Sequence, residues 1–117
     1  MAPVDVERAY RLRRAREVRQ VLVSGHVART EHFTVLVLPV SHCQLRFAII
    51  AGRRLGKAVT RNRVRRLVRE ALRELRAQLH AGHDVVVIAK PPAVGLGLAE
   101  VKQSLADAFA KAGLLAG

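Results

Sequence analysis

Residues 52–76 read GRRLGKAVTRNRVRRLVREALRELR. From about Thr60 to His80 the apolar residues return at helical spacing. Val64, Val68, Ala71, Leu75 and Leu79 fall on one face, with Leu67 and Leu72 at its edges. Asn62, Arg65, Arg66, Arg69, Arg73 and Arg76 fill a separate arc of roughly 100°. The apolar face needs a surface to cover, so the helix is expected to lie on a sheet with its arginines outward. Between Arg53 and Arg76 stand ten Arg or Lys residues and only two acids, Glu70 and Glu74. Like charges at this density repel unless an anion lies against them. Arg predominates over Lys, and its planar fork offers paired donors to a phosphate. The partner this points to is a nucleic-acid backbone.

Outward from this helix the chain alternates short elements. Upstream, Leu45–Ala51 and Phe33–Val40 read as strands, and Val27–Arg29 as a short one. Ser41–Gln44 is a turn, so residues 27–51 are expected to form an antiparallel meander. Arg14–Ser24 reads as a helix with Ala15, Val18, Val21 and Leu22 on one face, ended by Ser24-Gly25. Residues 1–13 read as a flexible N-terminal arm. Downstream, Gly82 stops the basic helix and Val85–Ala89 is a fully apolar strand. Leu98–Ala112 forms a last helix with Val101, Leu105, Ala108 and Phe109 inward. The order α-β-β-β-α-β-α predicts an α+β sandwich, a four-stranded, mainly antiparallel sheet with helices packed on it. At 117 residues, half of them apolar, the chain suits a single domain spanning residues 1–117.

The formal net charge of +12 is unevenly placed. Residues 1–80 carry 18 Arg or Lys against six acids, whereas residues 81–117 carry three of each. A field focused in this way favours association with a polyanion. A lone Cys43 excludes an internal disulfide and suits a reducing cytoplasm. No signal peptide is visible, and no apolar run reaches the roughly 18–20 residues of a membrane span. His80 and His83 flank Gly82, and His42-Cys43 has no second cluster, so no zinc set of about four ligands forms. Asp5, Asp84 and Asp107 are scattered, which leaves no protein-held two-metal site. No Ser/His/Asp arrangement is arguable either. The protein alone is therefore not expected to be a nuclease, and no catalytic side chain is assigned. A membrane-surface helix would need its apolar face free for lipid, and here a sheet needs that face. A helix-turn-helix would want a second short helix just upstream, where the sequence reads as strand and glycine loop.

The run from Arg53 through Gly56, Lys57-Ala58-Val59, Arg61-Asn62-Arg63, Arg65-Arg66 and Arg69-Glu70 closely resembles the signature of the bacterial ribonuclease P protein component. The resemblance extends to Arg11-Leu12 and the helix up to Gly25, to the strand from Asp84 to Lys90, and to the last helix. It implies a protein that binds a large catalytic RNA, which holds the Mg²⁺ ions and cuts the 5′ leader from precursor tRNA. It also implies a left-handed β-α-β crossover, against the usual hand. No organic cofactor and no membrane is implied, and the protein is expected to be a cytoplasmic monomer in a 1:1 ribonucleoprotein.

Carried over by position, the RNA-contacting candidates are Arg53, Arg54, Lys57, Arg61, Asn62, Arg63, Arg65, Arg66, Arg69 and Arg73. Asn62 reads equally as a direct contact or as a helix-start residue. Gly52 and Gly56 are expected to permit a tight backbone rather than to touch RNA. The leader-binding cleft implied by the family maps to Arg11, Arg13, Arg14, Val18, Leu22, Phe33, Leu36 and Lys90, with Arg16 nearby. Family members usually place aromatics in this cleft, where bases stack. Here Val18, Leu22 and Leu36 stand at those positions, so leader contact is expected to rest on aliphatic packing and arginines. Ala51-Gly52 also replaces a Ser that usually precedes the basic pair. Two other readings compete: a general RNA-binding or ribosome-associated protein, and a DNA-binding regulator, which would prefer duplexes and usually dimerise.

Overall fold

The computed structural model describes Leu12 and residues 14–115. Three α-helices and four strands follow in the order α1 (Ala15–Ser24), β1 (His26–Arg29), β2 (Phe33–Pro39), β3 (Leu45–Ile50), α2 (Ala58–Leu75), β4 (His83–Ala89) and α3 (Leu98–Lys111). Short 3₁₀ turns at Arg53–Leu55, Arg76–Gln78 and Pro91–Ala93 complete the elements of the described residues. The basic helix thus starts two residues before Thr60. It ends at Leu75 and gives way to a 3₁₀ turn, short of His80.

The strands form one sheet in the order β1-β2-β4-β3. The expected meander is corrected here: β2 and β3 are not neighbours, because β4 lies between them. β4 pairs antiparallel with β2, Phe33 opposite Ala89, and parallel with β3, Leu45 opposite His83. The cause lies in β4 itself. Val85, Val86 and Val87 are all fully buried, so both faces of this strand are covered. A strand apolar on both faces belongs at the centre of a sheet, under layers on either side. Burying each of those valines contributes about 1.5–3 kcal/mol, which outweighs the local convenience of a β2–β3 hairpin.

Alternation along the strands sorts the two faces. Phe33, Val35 and Val37 of β2, Leu45 and Phe47 of β3, and Val85, Val87 and Ala89 of β4 point one way. Against them pack Val64, Val68, Ala71, Leu72 and Leu75 of α2 and Val101, Leu105, Ala108 and Phe109 of α3, as the helical spacing predicts. On the opposite face Leu36 and Val86 meet Val21 of α1 and Leu12. Leu12, assigned to the arm by sequence, is buried, and its N–H donates to the Phe47 carbonyl at 2.7 Å. The inward face of α1 is narrower than expected. Val21 is buried and Val18 half-buried, while Ala15 and Leu22 are exposed. Among the described residues no helix is long and apolar enough to cross a membrane.

Candidate nucleic-acid interface

The interface begins where β3 ends. Ile50 is followed within three residues by the turn Arg53–Leu55, which Leu55 anchors by burying its side chain. Arg53 and Arg54 remain exposed. Gly56 then adopts φ 121° and ψ −150°, a region open essentially to glycine alone. This reversal turns the chain into α2. Gly52, by contrast, is extended with a negative φ and needs no such freedom. Lys57 occupies the N-cap position, with no side-chain cap and no acid in the first turn. The positive end of the helix therefore lies beside Arg53, Arg54 and Lys57, and all of these favour an anion.

Along α2 the apolar face is turned to the sheet and the cations outward. Arg63, Arg66 and Arg73 are exposed, while Arg61, Arg65 and Arg69 are half-buried. Asn62 lies inside the helix, which removes the helix-start reading. Its Oδ1 accepts a hydrogen bond from Arg65 Nη1 at 2.8 Å. Arg65 Nη2 also donates to the Ala51 carbonyl at 3.4 Å. Arg65 is thus tethered at two points, to its own helix and to the end of β3, with guanidinium donors to spare. Arg61 Nε is buried without an acceptor among the described residues.

On the other face of the sheet α1 leaves part of the apolar surface uncovered, and this strip beside the helix is the candidate groove. Glu17, Val18 and Val21 bring α1 over the starting ends of β3 and β4, and beyond the helix the sheet surface is only partly covered. Ala48, Ile50 and Ile88 are half-buried there, as is Val18 on the helix. Leu36 is buried in the floor beneath Val21, and Leu22 is exposed. Of the expected cleft residues, Val18 and Leu36 share this apolar cluster, Leu22 is exposed on α1, and Arg14 is exposed just ahead of the helix. Arg11 and Arg13 lie outside the described residues. Phe33 does not belong to the groove: it is fully buried on the opposite face, in the core under α2 and α3. An odd separation from Leu36 puts it there, because strand faces alternate. Ala48, Ile50 and Ile88 share this face without being among the expected cleft residues, although alternation along β3 and β4 places them there.

Lys90 stands at the end of β4, near the basic turn, but its amine is engaged. Its Nζ donates to the Thr30 carbonyl and its N–H donates to the His32 carbonyl at 2.9 Å. The β1–β2 turn is further fixed by buried Ser104 of α3. Ser104 Oγ lies 2.8 Å from Thr30 Oγ1 and 3.0 Å from His32 Nδ1.

One ionic cluster, centred on buried Asp84, lies partly covered beneath α1. Asp84, only 4 % exposed, stands opposite Arg46 in the β3–β4 register. Arg46 Nε and Nη2 each donate to its carboxylate at 2.9 Å. Arg46 Nη2 reaches Glu17 Oε2 of α1 as well, at 3.1 Å. His42 Nε2 lies 3.0 Å from Asp84 Oδ1, and His42 Nδ1 accepts the Gln44 N–H at 3.1 Å. That second bond places the imidazole hydrogen on Nε2, pointing at Asp84. Hydrogen bonding to Asp84, above all, raises the Arg46 pKa, with burial opposing and Glu17 adding to the rise. Arg46 therefore stays charged throughout the accessible pH range. Among the described residues no three His, Cys, Asp or Glu side chains gather as a metal site.

The sequence profile of the family described as Ribonuclease P matches residues 6–113. The "Ribonuclease P protein component" of Shouchella clausii is 38% identical over 112 residues, covering 95% of this chain and 92% of the relative. A mutant of the Staphylococcus aureus RNase P protein superposes with a TM-score of 0.86 at 25% identity, covering 94% of this chain and 93% of that one. The RNase P protein from Thermotoga maritima superposes with a TM-score of 0.76 at 29% identity, covering 83% of this chain and 92% of that one.

Proposed function

Because this chain belongs to the Ribonuclease P family, we propose that it is the protein subunit of an RNA enzyme that removes the 5′ leader from precursor tRNA. The observation that carries the reading is the placement of the basic signature. The turn Arg53–Leu55, Lys57 and the outer face of α2 form one cationic surface, backed by a rigid sheet and left open to solvent. In this reading that surface binds the catalytic RNA. Arg53, Arg54, Lys57, Arg63, Arg66, Arg69 and Arg73 neutralise phosphates and release counterions. Arg65 presents a fork already fixed by Asn62 and Ala51. Arg61, whose Nε is buried and unpaired among the described residues, gains an acceptor when its side chain turns to an RNA oxygen.

The groove beside α1 takes the single-stranded leader. Its lining is aliphatic, so bases pack on Val18, Leu22, Ala48, Ile50 and Ile88 rather than stacking on aromatic rings. Mg²⁺ and the hydrolytic step belong to the RNA. The protein brings two polyanions together, lowers their repulsion and fixes the leader's path. One protein per RNA, assembled in the cytoplasm, is part of the same reading.

The test is cleavage of precursor tRNA by a bacterial ribonuclease P RNA at low Mg²⁺, with and without this protein. Strong stimulation, with no cleavage by the protein alone, is the expected result. Tight RNA binding without stimulation would instead favour a general RNA-binding protein.

A further inference from the structure

We propose that the partly buried bridge Glu17–Arg46–Asp84 is a positioning device: it sets the height of α1 over the sheet and thereby the width of the groove. The proposal rests on the reading of that groove as the leader site. Three observations carry it. The first is chemical. Among the described residues Arg46 joins α1 to the sheet by ion pairs on both sides, with Nη2 shared between Glu17 at 3.1 Å and Asp84 at 2.9 Å. The second is mechanical. Apolar packing under α1 is thin, since Val21 is the only residue of the helix that is fully buried. A helix of ten residues with one buried side chain can tilt unless something else fixes it. The third is directional. Glu17 sits in the first turn of α1, and Gly25 follows directly into β1 at the other end. The chain path therefore fixes one end, and the bridge fixes the other.

Asp84 is the foundation of this arrangement. His42 and both Arg46 donors hold its carboxylate, and the same Arg46 Nη2 reaches on to Glu17. None of these side chains lies on the cationic face of α2. Altering the bridge should therefore change the recognition of the single strand and leave the grip on the catalytic RNA intact. Arg46 and Glu17 are positioning residues that act through Val18 and Leu22.

The test uses the reconstituted holoenzyme and two substrates, a precursor tRNA with a leader of several nucleotides and the same tRNA without it. The readout is the ratio of their affinities. Glu17→Ala is the main variant, because it leaves the Arg46–Asp84 pair in place and does not threaten the core. The expected loss in the ratio is about fivefold to tenfold, the net scale of one ordinary, partly exposed hydrogen bond. KM for the precursor rises while kcat at saturation and affinity for the RNA subunit stay within about twofold. Amide hydrogens of α1 exchange faster. Glu17→Gln, which keeps an acceptor oxygen, retains most of the ratio. An unchanged ratio in Glu17→Ala would overturn the proposal, whether or not α1 exchanges faster. So would a parallel fall in affinity for the RNA subunit. If the unaltered protein itself gives no leader-dependent gain, the leader reading of the groove fails, and the proposal falls with it.

Discussion

Arg65 and Arg66 are neighbours of equal charge on the same helix, yet their surroundings differ. Arg65 is held by Asn62 at 2.8 Å and by the Ala51 carbonyl, whereas Arg66 is exposed. If each meets one phosphate, replacing either by Ala should lower the slope of log affinity against log salt by the same amount, about 0.7–0.9. The affinities themselves should not fall equally. Arg66 must surrender its rotamer freedom on binding, which costs about 0.5–1.5 kcal/mol for such a side chain. Arg65 has surrendered it in the free protein. Arg65→Ala should therefore weaken RNA binding about two- to twelvefold more than Arg66→Ala at any one salt concentration. Asn62→Ala supplies the control. It releases Arg65 without removing a charge, so it should cost affinity by a similar factor and leave the salt slope alone. The assay is a filter-binding or fluorescence titration of the catalytic RNA across a fourfold range of monovalent salt. Equal losses for Arg65→Ala and Arg66→Ala, or a larger loss for Arg66→Ala, would refute the argument that the tether matters. Slopes unchanged in both would refute phosphate contact.

Asp84→Ala removes the main partner of Arg46, which keeps Glu17 and some solvent, and should destabilise the fold by about 1–3 kcal/mol in urea unfolding; Asp84→Asn, which keeps the shape and one acceptor, should cost clearly less. Phe109→Ala removes a fully buried ring that packs 6.4 Å, centroid to centroid, from Phe47, and should cost about 3–5 kcal/mol by the same assay. Gly56→Ala should cost about 1–3 kcal/mol from backbone strain alone, because the nearest atoms to a new Cβ, on Thr60, are at an ordinary 3.8 Å. A crystal structure of that variant with Gly56's φ and ψ unchanged, together with no loss of stability, would contradict the strain argument.

The parts of this molecule that were legible in sequence share one property: their signal is local. The apolar face of α2 was readable because Val64, Val68, Ala71 and Leu75 recur within one helix, and the cationic face followed from it. The strands were readable for the same reason. Their order was not, because Ser41–Gln44 between two short apolar runs looks like a hairpin turn. The competing demand, cover for both faces of Val85–Val87, comes from much later in the chain. Phe33 was placed in the cleft by correspondence with other sequences, although its odd spacing from Leu36 already put the two on opposite faces. The bridge could not be seen at all. Glu17, Arg46 and Asp84 are far apart in sequence, and only the parallel register of β3 and β4 brings them together.

The late insertion of β4 has a consequence for the nascent chain. Strands β2 and β3 leave the ribosome early, but each has its long partner in β4, and Phe33 must wait for Ala89 and Leu45 for His83. Until residue 89 emerges, two apolar strands have open edges and the arginine-rich helix has no surface for its apolar side. Pairing across such separations is slow, since the loop must close before any contact rewards it. Meanwhile the emerging cationic segment has no sheet to lie on. Synthesis therefore exposes the arginine-rich half of this protein before the strand that completes its sheet has emerged.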